Sequence, residues 1–171
     1  MSMLAIRPAT SDDCTAIHAV EERAFGRADE ADLVDALVAA GDVVLELVAE
    51  DDGMIVGHIL FSRLKVVSGE SSFNAVALAP LAVDPSFQNS GIGGALIREA
   101  HLRLVRAGET LTVVLGDPAY YGRFRYSHER AAGFDSIFQG DALQALDFGE
   151  APDEGTLVYA AAFGAPEISG H

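Results

Sequence analysis

Leu81-Ala-Val-Asp-Pro-Ser-Phe-Gln88-Asn-Ser-Gly-Ile-Gly93-Gly-Ala-Leu96 decides the fold, because an apolar run passes through a glycine-rich turn straight into a helical pattern. The first amides of a helix have no acceptor inside it and carry the positive end of its dipole, so such a turn holds an anion by backbone alone. Gly91, Gly93 and Gly94 let that backbone approach a phosphate closely. Two other phosphate loops fit badly. A Walker loop needs Gly-Lys-Ser/Thr after four intervening residues, and no lysine follows Lys65. A dinucleotide fingerprint needs Gly or Ala three residues after Gly93, where Leu96 stands, and its first glycine should follow the strand almost at once, whereas Asp84 to Ser90 intervene here. The plain alternative is a tight turn and helix start with no ligand.

Upstream of the turn, residues 73–83 read as a strand with Pro80 inside it, and a proline cannot donate a ladder hydrogen bond, so a bulge or splay is expected there. Residues 43–50 and 54–67 are rich in apolar and β-branched side chains, and the Asp52-Gly53 pair between them predicts a hairpin. Leu4 to Arg7 predicts a first strand closed by Pro8. Thr10 and Asp13 then form an N-cap pair for a helix ending near Gly26, with Cys14, Ile17, Ala24 and Phe25 on its apolar face. A second helix over 29–39 presents Leu33, Val34, Leu37 and Val38 and stops at Gly41.

Downstream, the helix opened by Gly91 is expected to bury Ile92, Ala95, Leu96, Ala100, Leu102 and Val105 and to end at Gly108. Residues 111–115 form the next strand, which makes a right-handed parallel crossover with 73–83. A short helix over 120–124 and strands over 143–148 and 156–163 complete the chain.

Two segments together resemble a known family. Gln88 to Gly93, read as Q-x-x-G-x-G, is similar to the pyrophosphate motif of the GCN5-related N-acetyltransferases (GNAT). Leu115-Gly-Asp-Pro-Ala-Tyr120-Tyr121-Gly-Arg-Phe-Arg-Tyr126 resembles their F-Y-x-x-x-G-F segment, with Arg125 in place of the usual glycine and Tyr126 in place of phenylalanine. With Leu47 to Glu50, Val56 to Ile59 and Leu78 to Val83, the likeness spans nearly the full chain and is greatest to the bacterial YhbS-type branch. It implies an α+β GNAT fold: a single central mixed, largely antiparallel sheet flanked by helices, whose parallel fourth and fifth strands splay apart. One N-acetyltransferase domain over residues 1–166 and a tail at 167–171 are expected.

The resemblance implies acetyl coenzyme A (acetyl-CoA) as donor substrate, bound by Leu81, Ala82, Val83, Gln88, Asn89, Ser90, Gly91, Ile92, Gly93, Gly94, Ala95, Tyr121 and Arg123. It implies acetyl transfer to a primary amine by direct attack on the thioester. Tyr121 stands where a hydroxyl can protonate the leaving thiolate, and the Val83 amide where it can polarise the carbonyl. The strand at 73–81 lacks the glutamate some relatives carry, so the base is sought in a water relay anchored among Glu21, Glu22, Glu46, Glu50 and His58, with His58 and Glu22 as candidates. Each also reads as a solvated charge or, for His58, as a satisfied half-buried imidazole. Arg125 and the missing glutamate keep open a non-catalytic acyl-CoA-binding or sensor protein on the same fold; an enzyme for a longer acyl donor is a third reading.

Composition fits this frame. In 171 residues, 26 acidic against 11 basic give a net charge of −15, which repels nucleic acids and anionic lipids. Arg98, Arg103, Arg123 and Arg125 are the local cations available to an anionic ligand. Apolar runs are too short to cross a membrane and no leader is evident, so a cytoplasmic protein is expected. Its partners are then a small-molecule or protein amine acceptor, with a homodimer left open. Cys14 is alone and reads as a small core residue, and the five histidines show no zinc-site spacing.

Overall fold

The computed structural model describes residues 4–164. Among the described residues there are eight strands: β1 (Leu4–Pro8), β2 (Val43–Asp51), β3 (Met54–Ser68), β4 (Ser71–Val83), β5 (Leu111–Leu115), β6 (Phe134–Asp135), β7 (Leu143–Asp147) and β8 (Gly155–Val158). The helices are α1 (Cys14–Phe25), α2 (Asp29–Ala40), α3 (Ile92–Arg106), α4 (Pro118–Tyr121) and α5 (His128–Ala131). Strand order is β1-β2-β3-β4-β5-β7, with β8 pairing β3 and β6. The described residues form two compact units: 4–61 with 80–103, and 62–79 with 104–164. The tail expected at 167–171 lies outside the described residues.

In the first unit β1 runs antiparallel to β2, from Leu4↔Asp51 to Pro8↔Leu47. The Asp13 carboxylate accepts from the Thr10 amide at 2.7 Å and from both terminal nitrogens of Arg7 at 2.7 and 2.9 Å. Hydrogen bonding by Arg7 holds that carboxyl well below the usual carboxylate range. A 3-10 turn over Ser11–Asp13 precedes α1, whose buried residues are Ile17, Val20 and Glu21. The apolar face expected for α1 is therefore corrected: Cys14 and Phe25 are exposed, and a carboxylate takes a core position. A hydrophobicity pattern cannot anticipate this, because Glu21 is accommodated by a partner on another element. Along α2 the buried stripe is Ala31, Val34 and Leu37, while Val38 is exposed.

The amphipathic period of α3 is expressed by Ile92, Leu96, Ile97, Ala100 and Leu104, each nearly inaccessible. Each fully buried Leu or Ile contributes about 1.5–3 kcal/mol. Leu102 and Val105, expected inside, are 55 % and 51 % exposed, since Ile97 and Leu104 complete the stripe instead. A Cβ at Gly57 would stand 3.0 Å from both Ile92 Cγ2 and Leu96 Cδ1. A side chain there would have to displace those two side chains by a few tenths of an ångström, so glycine lets β3 pack close against the first turns of α3.

In the second unit β4 and β5 are parallel through Val76↔Thr112, Ala77↔Val113 and Leu78↔Val114; the last residues of β4, Pro80 to Val83, belong to the first unit. β5–β7 and β3–β8 are antiparallel, and β6–β8 is a second parallel pair. Leu64, Ala77, Leu111, Val113, Phe134 and Leu143 lie at the centre of this unit's core. The strand expected over 156–163 ends at Val158; a 3-10 turn over Ala161–Phe163 follows, with the Tyr159 and Phe163 rings 5.5 Å apart. α5 and β6 were not anticipated.

Candidate active site

The turn before α3 is built from side chains that serve the backbone. Asp84 accepts from the Ser86 amide at 2.9 Å and from Arg23 Nε at 2.8 Å, and its own amide donates to the Val56 carbonyl at 2.8 Å. Gln88 Nε2 donates to the Val83 carbonyl at 3.1 Å, and Ser90 Oγ donates to the Phe87 carbonyl. Asn89 (φ 66°) and Gly91 (φ 87°) take left-handed backbone, which asparagine tolerates and glycine adopts without cost. Gln88 to Gly91 are exposed, Leu81 and Val83 half-buried and Ala82 buried.

Ala95 donates to the Gly91 carbonyl at 3.0 Å, so its amide is spent inside the helix. The amides of Ile92, Gly93 and Gly94 precede that first bond and have no carbonyl four residues back within α3. They form a cluster of donors at the positive end of a 15-residue helix, the arrangement that suits a pyrophosphate.

Tyr121 belongs to a second group of residues. Asp117 accepts from the Ala119 amide at 2.9 Å and Pro118 opens α4, a cap-and-proline start two residues earlier than the sequence pattern indicated. A 3-10 turn over Gly122–Phe124 follows, closed by Arg125 at φ 78°. Arg125 thus takes left-handed backbone, a conformation that glycine adopts without cost. The Tyr121 ring meets Tyr120 edge-on at 4.9 Å and Tyr126 at 5.9 Å, while Tyr126 is itself buried with its hydroxyl 3.1 Å from Thr112 Oγ1. Burial, reinforced by Tyr120, pushes the Tyr121 phenol up to about 12, which keeps it protonated at neutral pH. The exposed Arg123 guanidinium lies 4.8 Å from the Tyr120 ring centroid.

The base candidates separate. His58 is wholly buried, with Nδ1 2.7 Å from Glu21 Oε2 and Nε2 2.7 Å from Glu46 Oε2. Burial alone would lower its pKa, yet the hydrogen bonds to Glu21 and Glu46 raise it; burial raises that of Glu21. Glu22 points elsewhere: it is exposed, and its partner is His18 at 3.6 Å. Glu50 pairs with Arg7. The His58 cluster draws on residues from three elements at no fixed spacing, so no sequence pattern announces it. Arg103 is engaged by Glu99 at 2.7 Å. Among the described residues, His18, Asp32 and Asp35 bring ligand atoms within 4.8 Å of one another across α1 and α2, a grouping that linear spacing did not reveal; both aspartates are exposed. No described helix is long and apolar enough to cross a membrane.

Comparison with known proteins shows the family. The acetyltransferase (GNAT) domain family matches residues 5–128. YjhQ, an uncharacterized N-acetyltransferase of Escherichia coli strain K12, is 43 % identical over 125 residues, covering 71 % of this chain and 67 % of its own. The crystal structure of YhbS from Escherichia coli in complex with CoA aligns with TM-score 0.87 at 30 % identity, over 95 % of this chain and 92 % of that one. A GNAT family acetyltransferase from Brucella melitensis, solved with acetyl-CoA, aligns with TM-score 0.80 at 37 % identity, over 94 % and 98 % of the two chains. The chain belongs to the GNAT acetyltransferase family and is an enzyme of the acyltransferase class.

Proposed function

We propose that this protein, acting as one domain over residues 1–166, moves an acetyl group from acetyl-CoA to a primary amine by direct attack on the thioester. The observation that carries the reading is the set of uncommitted amides at Ile92, Gly93 and Gly94, displayed beyond an exposed turn of Gln88, Asn89, Ser90 and Gly91. In this reading those residues hold the pyrophosphate, Arg123 adds a cation beside it, and Leu81, Ala82 and Val83 line the pantetheine. Ala95 contributes its Cα and methyl surface, because its amide is already bonded. Binding of CoA and acetyl-CoA by the two solved relatives supports the assignment.

The chemistry follows from residue types. The amine nitrogen forms a bond to the carbonyl carbon while the Val83 amide stabilises the oxyanion, and the C–S bond then breaks. Tyr121 donates its phenolic proton to the departing sulfur, the phenol being protonated at neutral pH because burial raises it to about 12. The proton lost by the amine passes through water to the His58 cluster, entering at Glu46, since both ring nitrogens of His58 are engaged; Glu22 remains an alternative anchor at the surface. The proposed setting is the cytoplasm, with no nucleic-acid or membrane partner, consistent with a net charge of −15.

A second reading, an acyl-CoA-binding sensor without turnover, is favoured by the absence of any acidic residue in β4 and by Arg125 beside Tyr126. Incubation with acetyl-CoA and a panel of primary amines separates the two. Amine-dependent release of free thiol supports transfer; CoA binding with no thiol release by any amine assigns the sensor role.

A further inference from the structure

α1 and α2 flank a recess of about 400 Å3, a size that suits a small organic molecule. Ile17 of α1 and Val34 and Val38 of α2 form its apolar walls, and Glu46 of β2 its polar end. Asp35 also faces it, and the lining includes no lysine, arginine or histidine. Glu46 is nearly enclosed, its side chain 15 % exposed, and it links the recess to the core through His58.

The buried cluster behind Glu46 carries an uncompensated charge. Each of the two 2.7 Å contacts of His58 requires one proton, so Glu21, His58 and Glu46 together hold at least two protons. With those two protons, whether on an imidazolium or on one imidazole nitrogen and one carboxyl, the three groups sum to one negative charge. Glu21 Oε1 is buried with no hydrogen-bond partner, so the charge is not dissipated on that side. The surrounding titratable groups do not supply a free cation: Glu30 is bound to Arg27 at 2.5 Å, and Asp35 to His18 at 3.0 Å. Glu46 is the member of the cluster that reaches the recess.

We propose that this recess is a binding site for a small organic cation, a primary ammonium with an unbranched apolar body of about six carbons. The ammonium bonds the Glu46 carboxylate and the chain lies between Ile17, Val34 and Val38. This goes beyond the transfer reading: Glu46 is shared with the proton path proposed there, but the recess is complete within residues 9–46 and binding to it requires no acetyl donor.

The test uses n-hexylammonium as probe, with 1-hexanol and hexanoate as neutral and anionic controls, on the CoA-free protein. Binding is read by calorimetry and by the alkylation rate of Cys14, the sole cysteine, which is exposed and lines the recess. Hexylammonium should bind, slow Cys14 alkylation to a saturating limit and outcompete both controls by about tenfold or more, the value of a charge-assisted hydrogen bond. Glu46→Gln should weaken it by a similar factor. Val38→Lys, at an exposed position, places a cation in the recess and should abolish binding even if Glu46→Gln fails to fold. No binding by the wild type, equal affinity for hexanol, or undiminished binding by folded Val38→Lys would overturn the proposal.

Discussion

The Tyr121 ring rests on Gly116, where a Cβ would stand 2.6 Å from ring Cε2 and 3.1 Å from Cδ2. Gly116 cannot yield easily, because its amide donates to the Ala142 carbonyl at 3.0 Å and its carbonyl accepts from Gln144 Nε2 at 3.1 Å. An added methyl must therefore move the ring. Gly116→Ala is expected to cost about 1–3 kcal/mol of stability, the usual penalty for overpacking. It should also reduce acetyl transfer at least tenfold, with CoA affinity retained. Thermal melting and steady-state kinetics on the same preparation check both parts; an active, unshifted variant would contradict the placement of Tyr121.

Removing only the hydroxyl is the complementary change. Tyr121→Phe should leave the edge-on contacts with Tyr120 and Tyr126 intact and lower turnover by ~10²-fold, the scale of general-acid catalysis. The loss should shrink with a donor whose leaving thiol is more acidic, since that thiolate needs less protonation. Equal losses with both donors would assign the hydroxyl to packing.

Arg125 holds φ 78°, a conformation that costs a side chain with a Cβ about 1 kcal/mol or more and costs glycine nothing. Because glycine also raises the entropy of the unfolded chain, Arg125→Gly should raise stability by a net ~0.5–1 kcal/mol in denaturant titration. A destabilised variant would mean that the guanidinium makes a compensating contact.

Two histidines give opposite pH signatures. Burial pulls His101 down from 6.5 to about 4, so the unfolded chain takes up this proton first and stability falls as pH drops through that interval, by about 3 kcal/mol. His58 is raised by its carboxylate bonds against burial, so its contribution is present below the unfolded value and is lost as pH rises through the folded one. Stability of His101→Gln measured across pH 7 to 4 should lack the acid-side loss attributed to this residue; an unchanged slope would place that loss elsewhere.

What could be read in advance depended on whether a feature was local. α3 and the strand before it are contiguous, and a 3.6-residue apolar period following clustered glycines identifies them without reference to the rest of the chain. β6 has two residues and exists because β8 pairs with it, so nothing in Phe134-Asp135 alone predicts a strand. The phase of α1 was misjudged at Glu21, where a charge sits in the core because His58, 37 positions away, accommodates it. Gly57 and Gly116 were visible as letters, but their function is to admit Ile92, Leu96 and Tyr121, which only packing reveals.

The claim on which the account depends most is that the first amides of α3 hold the CoA pyrophosphate. Calorimetric titration of CoA into wild type and into folded Gly93→Val tests it directly. The account predicts that the valine side chain, standing among the Ile92, Gly93 and Gly94 amides, weakens CoA by tenfold or more while pantetheine, which lacks the pyrophosphate, binds both proteins equally. Undiminished CoA affinity in folded Gly93→Val would contradict it.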